Sequence, residues 1–279
     1  MNPRESYPHG VPCFVDLERE DVDAAAAFYG GLFGWSFDAV SPPGAPRFLA
    51  ASLNGLRVAG IGEPTDGAAS NAWNTYVSVD DADATAAKVT AAGGTVLAGP
   101  LDVGPAGRMA AFADPQGAQF RVWQAGASHG AQLVNVPGSW NWSDYEASDL
   151  EAAKAFYGSV FGWEYQEVDL GGGPSWMIRV PGYGLHLEAL NPGTLERHSA
   201  SGAPEGFSDA IGWLLTAKDE ARWAVTFTVA DADATAAKAR ELGGTVVTEP
   251  FDAPWVRLAV LRDPEGATLT VGKFQPPED

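Results

Sequence analysis

One cysteine, Cys13, four histidines and three methionines stand in a chain of 279 residues. A lone cysteine excludes an intrachain disulfide and any zinc or iron–sulfur site built on several thiolates, and it suits a reducing compartment. Positive charge is also scarce: 17 Lys and Arg face 36 Asp and Glu, a formal charge of −19. A field of that sign repels phosphate backbones and anionic lipid headgroups, which argues against nucleic acid and membrane surfaces as partners. No apolar run approaches the ~18 residues of a spanning helix, and the opening MNPRESYPHG lacks the apolar core of a secretory signal. The phosphate-binding P-loop, the HExxH zinc motif and the dinucleotide fingerprint are missing as well. A cytoplasmic protein is the expectation.

What the chain has in quantity is ordinary globular material, 46% hydrophobic and 19% charged, at a length that suits two domains at roughly 100–200 residues each. It also repeats itself. DVDAAAAFYGGLFGW at 21–35 returns as DLEAAKAFYGSVFGW at 149–163, an offset of 128. DADATAAK occurs identically at 81–88 and 231–238, and DPQGA at 114–118 returns as DPEGA at 263–267. The elements come in the same order twice, so the reading is a first domain at 10–125, a connector at 126–138 and a second domain at 139–274. The offset rises from 128 to about 150, which places an insertion near 191–222 in the second half. Within each half a short apolar strand ending in Asp precedes a helix twice. Asp21 and Asp81 are N-cap candidates, and several short strands separated by Gly and Pro follow each helix. Strand, helix, strands, four times over, is the grammar of an α+β protein.

The pairing of DxxxAxxFYxxxFGW with a closing DPxGA resembles the vicinal oxygen chelate superfamily, the glyoxalase, bleomycin-resistance and extradiol-dioxygenase group, in its tandem two-domain form. The resemblance covers nearly the whole chain. It implies two domains, each a pair of βαβββ modules whose sheets form a cup around a ligand or metal. Metal-dependent members place ligands on the first strand of each module and a Glu on the last. Carried over, those positions are Phe14, Asn74, Arg121 and about Gly60 in the first half, and Trp142, Ala224, Thr270 and about Glu188 in the second. Phenylalanine, tryptophan, alanine, glycine and arginine do not hold a cation, so no cofactor is expected. The alternative is a nonstandard divalent site on His186, Glu188 and Asp144, reached if GLHLEAL is a strand that points His186 and Glu188 into the second cup.

Asp16 and Asp144 occupy equivalent places on the first strand of each half, so each cup should carry a carboxylate on its wall. Arg108 and Arg257 are equivalent too, and each is the expected cation for its Asp, as a structural pair or as part of a catalytic Asp144–Arg257 couple. Arg121 could receive an anionic group of a ligand. Ten tryptophans read partly as core, Trp35 and Trp163 above all, and partly as aromatic walls for a flat molecule, Trp142 and Trp176 in particular. The candidate ligand-binding set is therefore Phe14, Asp16, Asn74, Arg121, Trp142, Trp176, His186, Glu188 and Thr270. The insertion reads as a polar loop followed by a short helix within GFSDAIGWLLTAK, capped by Ser208 or Asp209, and serving as a lid or a docking surface.

The expected function is enclosure of a small aromatic or polycyclic molecule in one or both cups by a self-contained chain, a monomer. The alternative is an enzyme working on such a molecule by acid and base groups or through the nonstandard metal site.

Overall fold

Asp21, Asp81, Asp149 and Asp231 each open a helix by accepting a hydrogen bond from the backbone N–H three residues on, at 2.9–3.0 Å, which satisfies one orphan donor of the first turn. In the FYGxxFGW motif the glycine before each tryptophan, Gly34 or Gly162, ends its helix in the left-handed conformation, φ 76° and 75°. A side chain there would be strained. The repeated motif is thus a helix with both its ends specified.

The computed structural model describes residues 3–41, 44–64, 72–169 and 174–275. The first half runs β1 (Pro12–Glu18), α1 (Val22–Phe33), β2 (Ser36–Ala39), β3 (Phe48–Leu53), β4 (Leu56–Gly62), β5 (Asn74–Ser78), α2 (Ala82–Ala91), β6 (Thr95–Val103), β7 (Gly107–Ala113) and β8 (Gln119–Ala125). The second half runs β9 (Ser139–Ala147), α3 (Leu150–Phe161), β10 (Glu164–Asp169), β11 (Pro174–Arg179), α4 (Tyr183–Leu190), α5 (Thr194–Ala200), β12 (Ala210–Thr216), β13 (Arg222–Thr228), α6 (Ala232–Glu241), β14 (Thr245–Ala253), β15 (Val256–Arg262) and β16 (Thr268–Phe274). Each half forms one eight-stranded mixed sheet. The orders are β2-β3-β4-β1-β5-β8-β7-β6 and β10-β11-β12-β9-β13-β16-β15-β14. First strands of paired modules lie antiparallel at the centre, β1 beside β5 and β9 beside β13, and each sheet curls into a cup. The α+β tandem expected from the repeat is what forms.

The helices cover the outer faces of the sheets, and there the halves merge. One core joins Val15, Leu17, Tyr29, Phe33 and Trp35 of the first half to Val225, Phe227, Ala236 and Leu269 of the second. The other joins Val77, Val89, Phe112 and Phe120 to Tyr145, Phe156, Tyr157 and Trp163. Sheets pair modules one with two and three with four. Helices pair one with four and two with three. The connector contributes Ala131, Leu133 and Val134, all buried, to the first of these cores.

Two sequence expectations fail in the insertion. GLHLEAL is helix α4, not a strand. Its alternating apolar residues imitate a strand, but Tyr183 is buried, Leu187 one turn on packs against the same core, and Leu185 between them is 69% exposed. The stretch expected as a helix beyond Ser208 and Asp209 is instead β12, inserted between β11 and β9. A strand in that place is covered on both faces and reads as an unbroken apolar run, which periodicity cannot tell from a buried helix. The extra segment therefore spans 180–209, earlier than the sequence placed it. Among the described residues no helix is long and apolar enough to cross a membrane.

Candidate functional site

Because Val15 and Leu17 pack under α1, their neighbours Phe14, Asp16 and Glu18 point the other way, into the first cup. By the same alternation Tyr145 meets Tyr157 of α3, ring centroids 5.1 Å apart, and Trp142, Asp144 and Glu146 point into the second. Strand register makes the correspondence residue by residue. Asp16 stands opposite Asn74 and Asp144 opposite Ala224. Tyr76 stands opposite Arg121 and Thr226 opposite Thr270.

The first cup has filled itself. Arg121 places Nη1 3.3 Å from Asp16 Oδ2 and Nη2 2.6 Å from Glu18 Oε1. Tyr76 donates its hydroxyl to Asp16 at 2.6 Å, and Asn74 donates its amide at 2.9 Å. All five residues are buried. Burial works against the Arg121 charge, yet Asp16, Tyr76 and Glu18 together hold its pKa well above the ordinary value. The Phe48 ring lies over Gly60 and Gly62, close enough that a Cβ at Gly60 would run into it. Arg121 was expected to meet an anionic ligand; it is committed to Asp16 and Glu18 instead. Asp16 was expected to pair with Arg108, which instead forms ion pairs with Asp83 and Asp102.

The second cup keeps the carboxylates and loses their partners. Where the first has Arg121, Tyr76 and Asn74, it has Thr270, Thr226 and Ala224. Asp144, Glu146, Ala224, Thr270 and Trp142 are half-buried, so this floor is reached by solvent where the first is sealed. Asp144 Oδ1 accepts the backbone N–H of Trp213 at 2.9 Å, at a close approach of β12 to β9 where a side chain at Gly212 would strike Ser143. Among the described residues no cation pairs with Asp144. Burial pushes its pKa up to about 7, the Trp213 N–H works against that, and the nearby Glu146 charge adds to it. Glu146 itself is paired with the exposed Arg222 at 2.8 Å.

The insertion reaches this cup. Phe207, in a short 3-10 turn, packs edge-on against Trp142 with ring centroids 6.1 Å apart. Val180 donates to Asp209 O at 3.0 Å across the base of the segment, and Arg4 of the N-terminal arm donates to the Tyr183 hydroxyl of α4 at 2.6 Å. The segment thus touches both places that the sequence reading offered it, the second cup through Phe207 and the first half through Tyr183.

Other expected site residues fall elsewhere. Arg257 does not approach Asp144; it reaches out to Asp233 and Asp252 on the surface. Trp176 is on the helix side of its sheet, with Lys154 Nζ 3.9 Å above its ring. Glu188, on α4, accepts from Leu195 N–H at 3.0 Å and Gly193 N–H at 2.8 Å, and these bonds hold its pKa below the usual carboxylate value. His186, on the same helix, stacks on Tyr183. One step back along the β9–β12 pairing, the residue beside Asp144, and thus the counterpart of Gly60, is Trp213 rather than Glu188. Trp213 is the site residue the sequence reading missed, because the inserted helices broke the count.

The superfamily's metal positions therefore carry Phe14, Asn74, Gly60 and an Arg121 already in ion pairs, and Trp142, Ala224, Trp213 and Thr270. These donors do not fit a divalent ion. Among the described residues no three His, Cys, Asp or Glu side chains come together, which also dissolves the His186, Glu188 and Asp144 alternative. The connector's Gly126-Ala127-Ser128-His129-Gly130 has nucleophile-elbow spacing. It follows β8 without leading into a helix, and Ser128 Oγ accepts from Arg57 at 2.5 Å, so the strand-to-helix turn of that motif is not made. Burial pushes the Cys13 thiol pKa up, away from reactivity. A cleft of about 160 Å³ lies between Trp73, Asn74 and Gln119 of the first half and Arg222 and Trp223 of the second.

With this geometry in hand, comparison decides the family. A model of the Glyoxalase/Bleomycin resistance protein/Dioxygenase superfamily matches residues 14–122 and 144–271. The chain belongs to this superfamily. CFP32 of Mycobacterium tuberculosis (strain CDC 1551 / Oshkosh), which carries a provisional glyoxylase name, is 38% identical over 281 residues, covering 99% of both chains. The anthracycline biosynthesis protein DnrV of Streptomyces peucetius is 37% identical, covering 95% of this chain and 94% of its own. Among solved structures, the Mn(II)-bound glyoxalase of Novosphingobium aromaticivorans has a TM-score of 0.58 at 14% identity, covering 98% of this chain and 83% of its own. A homoprotocatechuate 2,3-dioxygenase variant of B. fuscum has 0.60 at 13%, covering 99% and 74%. At such identities these two show the fold alone.

Proposed function

We propose that the second cup encloses a small, flat, largely apolar molecule and that Asp144 meets its polar edge. The observation that carries this is the contrast within the repeat. Asp16 is paired with Arg121 and hydrogen-bonded by Tyr76 and Asn74, whereas Asp144 has one backbone N–H and an opening to solvent. Trp142 and Phe207 offer aromatic surface on one side. Leu258 and Val260, which share the Thr270 face of the sheet, offer aliphatic surface on the other. The relation to an anthracycline biosynthesis protein supports a polycyclic aromatic class. The first cup is read as structural, and the halves 10–125 and 139–274 as two domains of one working unit, with nucleic acid and membranes not among its partners.

A second reading follows from the Asp144 pKa of about 7, a value suited to taking a proton from a bound molecule at neutral pH, which would make the protein a metal-independent enzyme. Titrating wild type and Asp144→Asn with a hydroxyanthraquinone, read by tryptophan fluorescence and by the ligand's own spectrum, tests both. Binding that weakens in the variant supports enclosure, and a spectral change with time that the variant loses supports catalysis. Binding unchanged by the substitution would remove Asp144 from the site.

A further inference from the structure

The first cup shows what its sister is built to hold. There the Arg121 guanidinium sits between two carboxylates two residues apart on one strand, Nη1 at 3.3 Å from Asp16 and Nη2 at 2.6 Å from Glu18. The Tyr76 hydroxyl accepts from Nη1 at 2.9 Å, and its ring lies 5.5 Å from the guanidinium carbon. The second cup repeats the two carboxylates, Asp144 and Glu146, on the equivalent strand. The arginine, the tyrosine and the asparagine that answer them are replaced by Thr270, Thr226 and Ala224, all smaller and none charged. Resting on the reading of this cup as the binding site, we infer that its ligand is a cation, with a protonated amine or amidinium placed where the Arg121 guanidinium sits in the first cup.

A purely structural role accounts for one oxygen of Asp144, the one bonded to Trp213 N–H. It does not account for keeping a half-buried acid whose cation has been removed, since an acid stripped of its partner costs stability that an amide or hydroxyl would not. Among the described residues the charged groups around Asp144 are Glu146 and, beyond it, Arg222. Those two neutralise each other at 2.8 Å, and Asp144 remains the uncompensated charge. Trp142 stands where the first cup has Phe14, and indole is the aromatic face that attracts cations best. A neutral molecule would leave Asp144 as costly after binding as before. A cationic one restores the arrangement the first cup already displays.

The test compares 9-aminoacridine, a cation at about pH 8, with 9-methylacridine, neutral there and of nearly the same shape. Binding is measured by fluorescence titration at ~0.15 M salt, so that the overall negative charge is screened. The expected result is a preference for the cation on the order of 10–100-fold, the worth of a charged hydrogen bond. That preference should disappear in Asp144→Asn and in Thr270→Arg, which supplies a guanidinium from the protein itself. Should Thr270→Arg fail to fold, Asp144→Asn decides alone. Equal affinities that both collapse in Trp142→Ala overturn the cationic ligand and leave the cup as the site. A preference that survives Asp144→Asn overturns the inference as well, since the overall charge then explains it. Absence of binding by either probe, or binding indifferent to Trp142→Ala, overturns the site and the inference together.

Discussion

Tyr29, on the first helix of the chain, donates its hydroxyl to Asp263 near the far end, 3.0 Å away. The bond is reciprocated: Tyr157 of the second half donates to Asp114 of the first at 2.9 Å. Trp35 donates its indole N–H to Gly138 O at 2.6 Å and Trp163 to Gly10 O at 2.7 Å. Each repeat's tyrosine thus fastens itself to the DPxG aspartate of the other half, while the tryptophans bond to backbone carbonyls of the connector and of the first half's opening residues.

Separately expressed halves, 1–125 and 139–279, should therefore fail to fold alone, because each would expose helix faces that its own sheet does not cover. Mixed or co-expressed, they should associate one to one. Circular dichroism and gel filtration check this, and a monomeric, cooperatively melting half would contradict it.

Tyr29→Phe and Tyr157→Phe each take a donor from a buried carboxylate and should cost about 1–3 kcal/mol. Asp263 retains Arg19, at 3.4 Å, while Asp114 retains Tyr145, which brings no charge. Denaturant melts should show Tyr157→Phe as the more damaging of the two.

Chelator treatment should leave the melting temperature unchanged. The positions that hold metal elsewhere in the superfamily carry tryptophan, threonine, alanine and a paired arginine here. A stoichiometric divalent ion in purified protein, found by elemental analysis, would refute this.

If the insertion is a lid, Arg4→Ala, which releases Tyr183, and Phe207→Ala, which uncovers Trp142, should both speed the exchange of a bound probe. Stopped-flow dissociation rates should rise several-fold in each variant. Unchanged rates would leave the segment without a gating role.

The architecture was legible because it rests on signals that are local and doubled: an Asp at each helix start, a glycine at the ends of α1 and α3, and the same order of motifs twice. The insertion was not, since α4 and β12 have no repeat to be read against and both are short apolar runs. Trp142, Asp144 and Thr270 were placed in the second cup by counting from the repeats. Arg257 was misplaced because counting gives a position along a strand and not the direction of a long side chain. Trp213 could have been found only by knowing that the strand beside β9 resumes after residue 209.

The sharpest contrast concerns the two equivalent aspartates, whose substitution should move stability in opposite directions. Asp16→Asn removes a charge from a buried, fully bonded cluster and should cost about 3–5 kcal/mol, because Arg121 is left with Glu18 as its one carboxylate. Asp144 is the reverse case. Its folded pKa, about 7, lies above the ordinary value of 3.8, so between those values the folded chain keeps a proton that the unfolded chain releases. Stability then falls as pH rises from about 4 to about 7, and the deficit is constant above that range. The shift sets an upper bound of about 4 kcal/mol, which partial access to solvent lowers to about 1–3 kcal/mol. Asp144→Asn should accordingly melt higher than wild type at pH 8, with the gap closing toward pH 4. Melting curves of both variants across that range decide it. A destabilised Asp144→Asn at pH 8 would mean that its carboxylate is compensated after all, and the contrast between the two cups would fall with it.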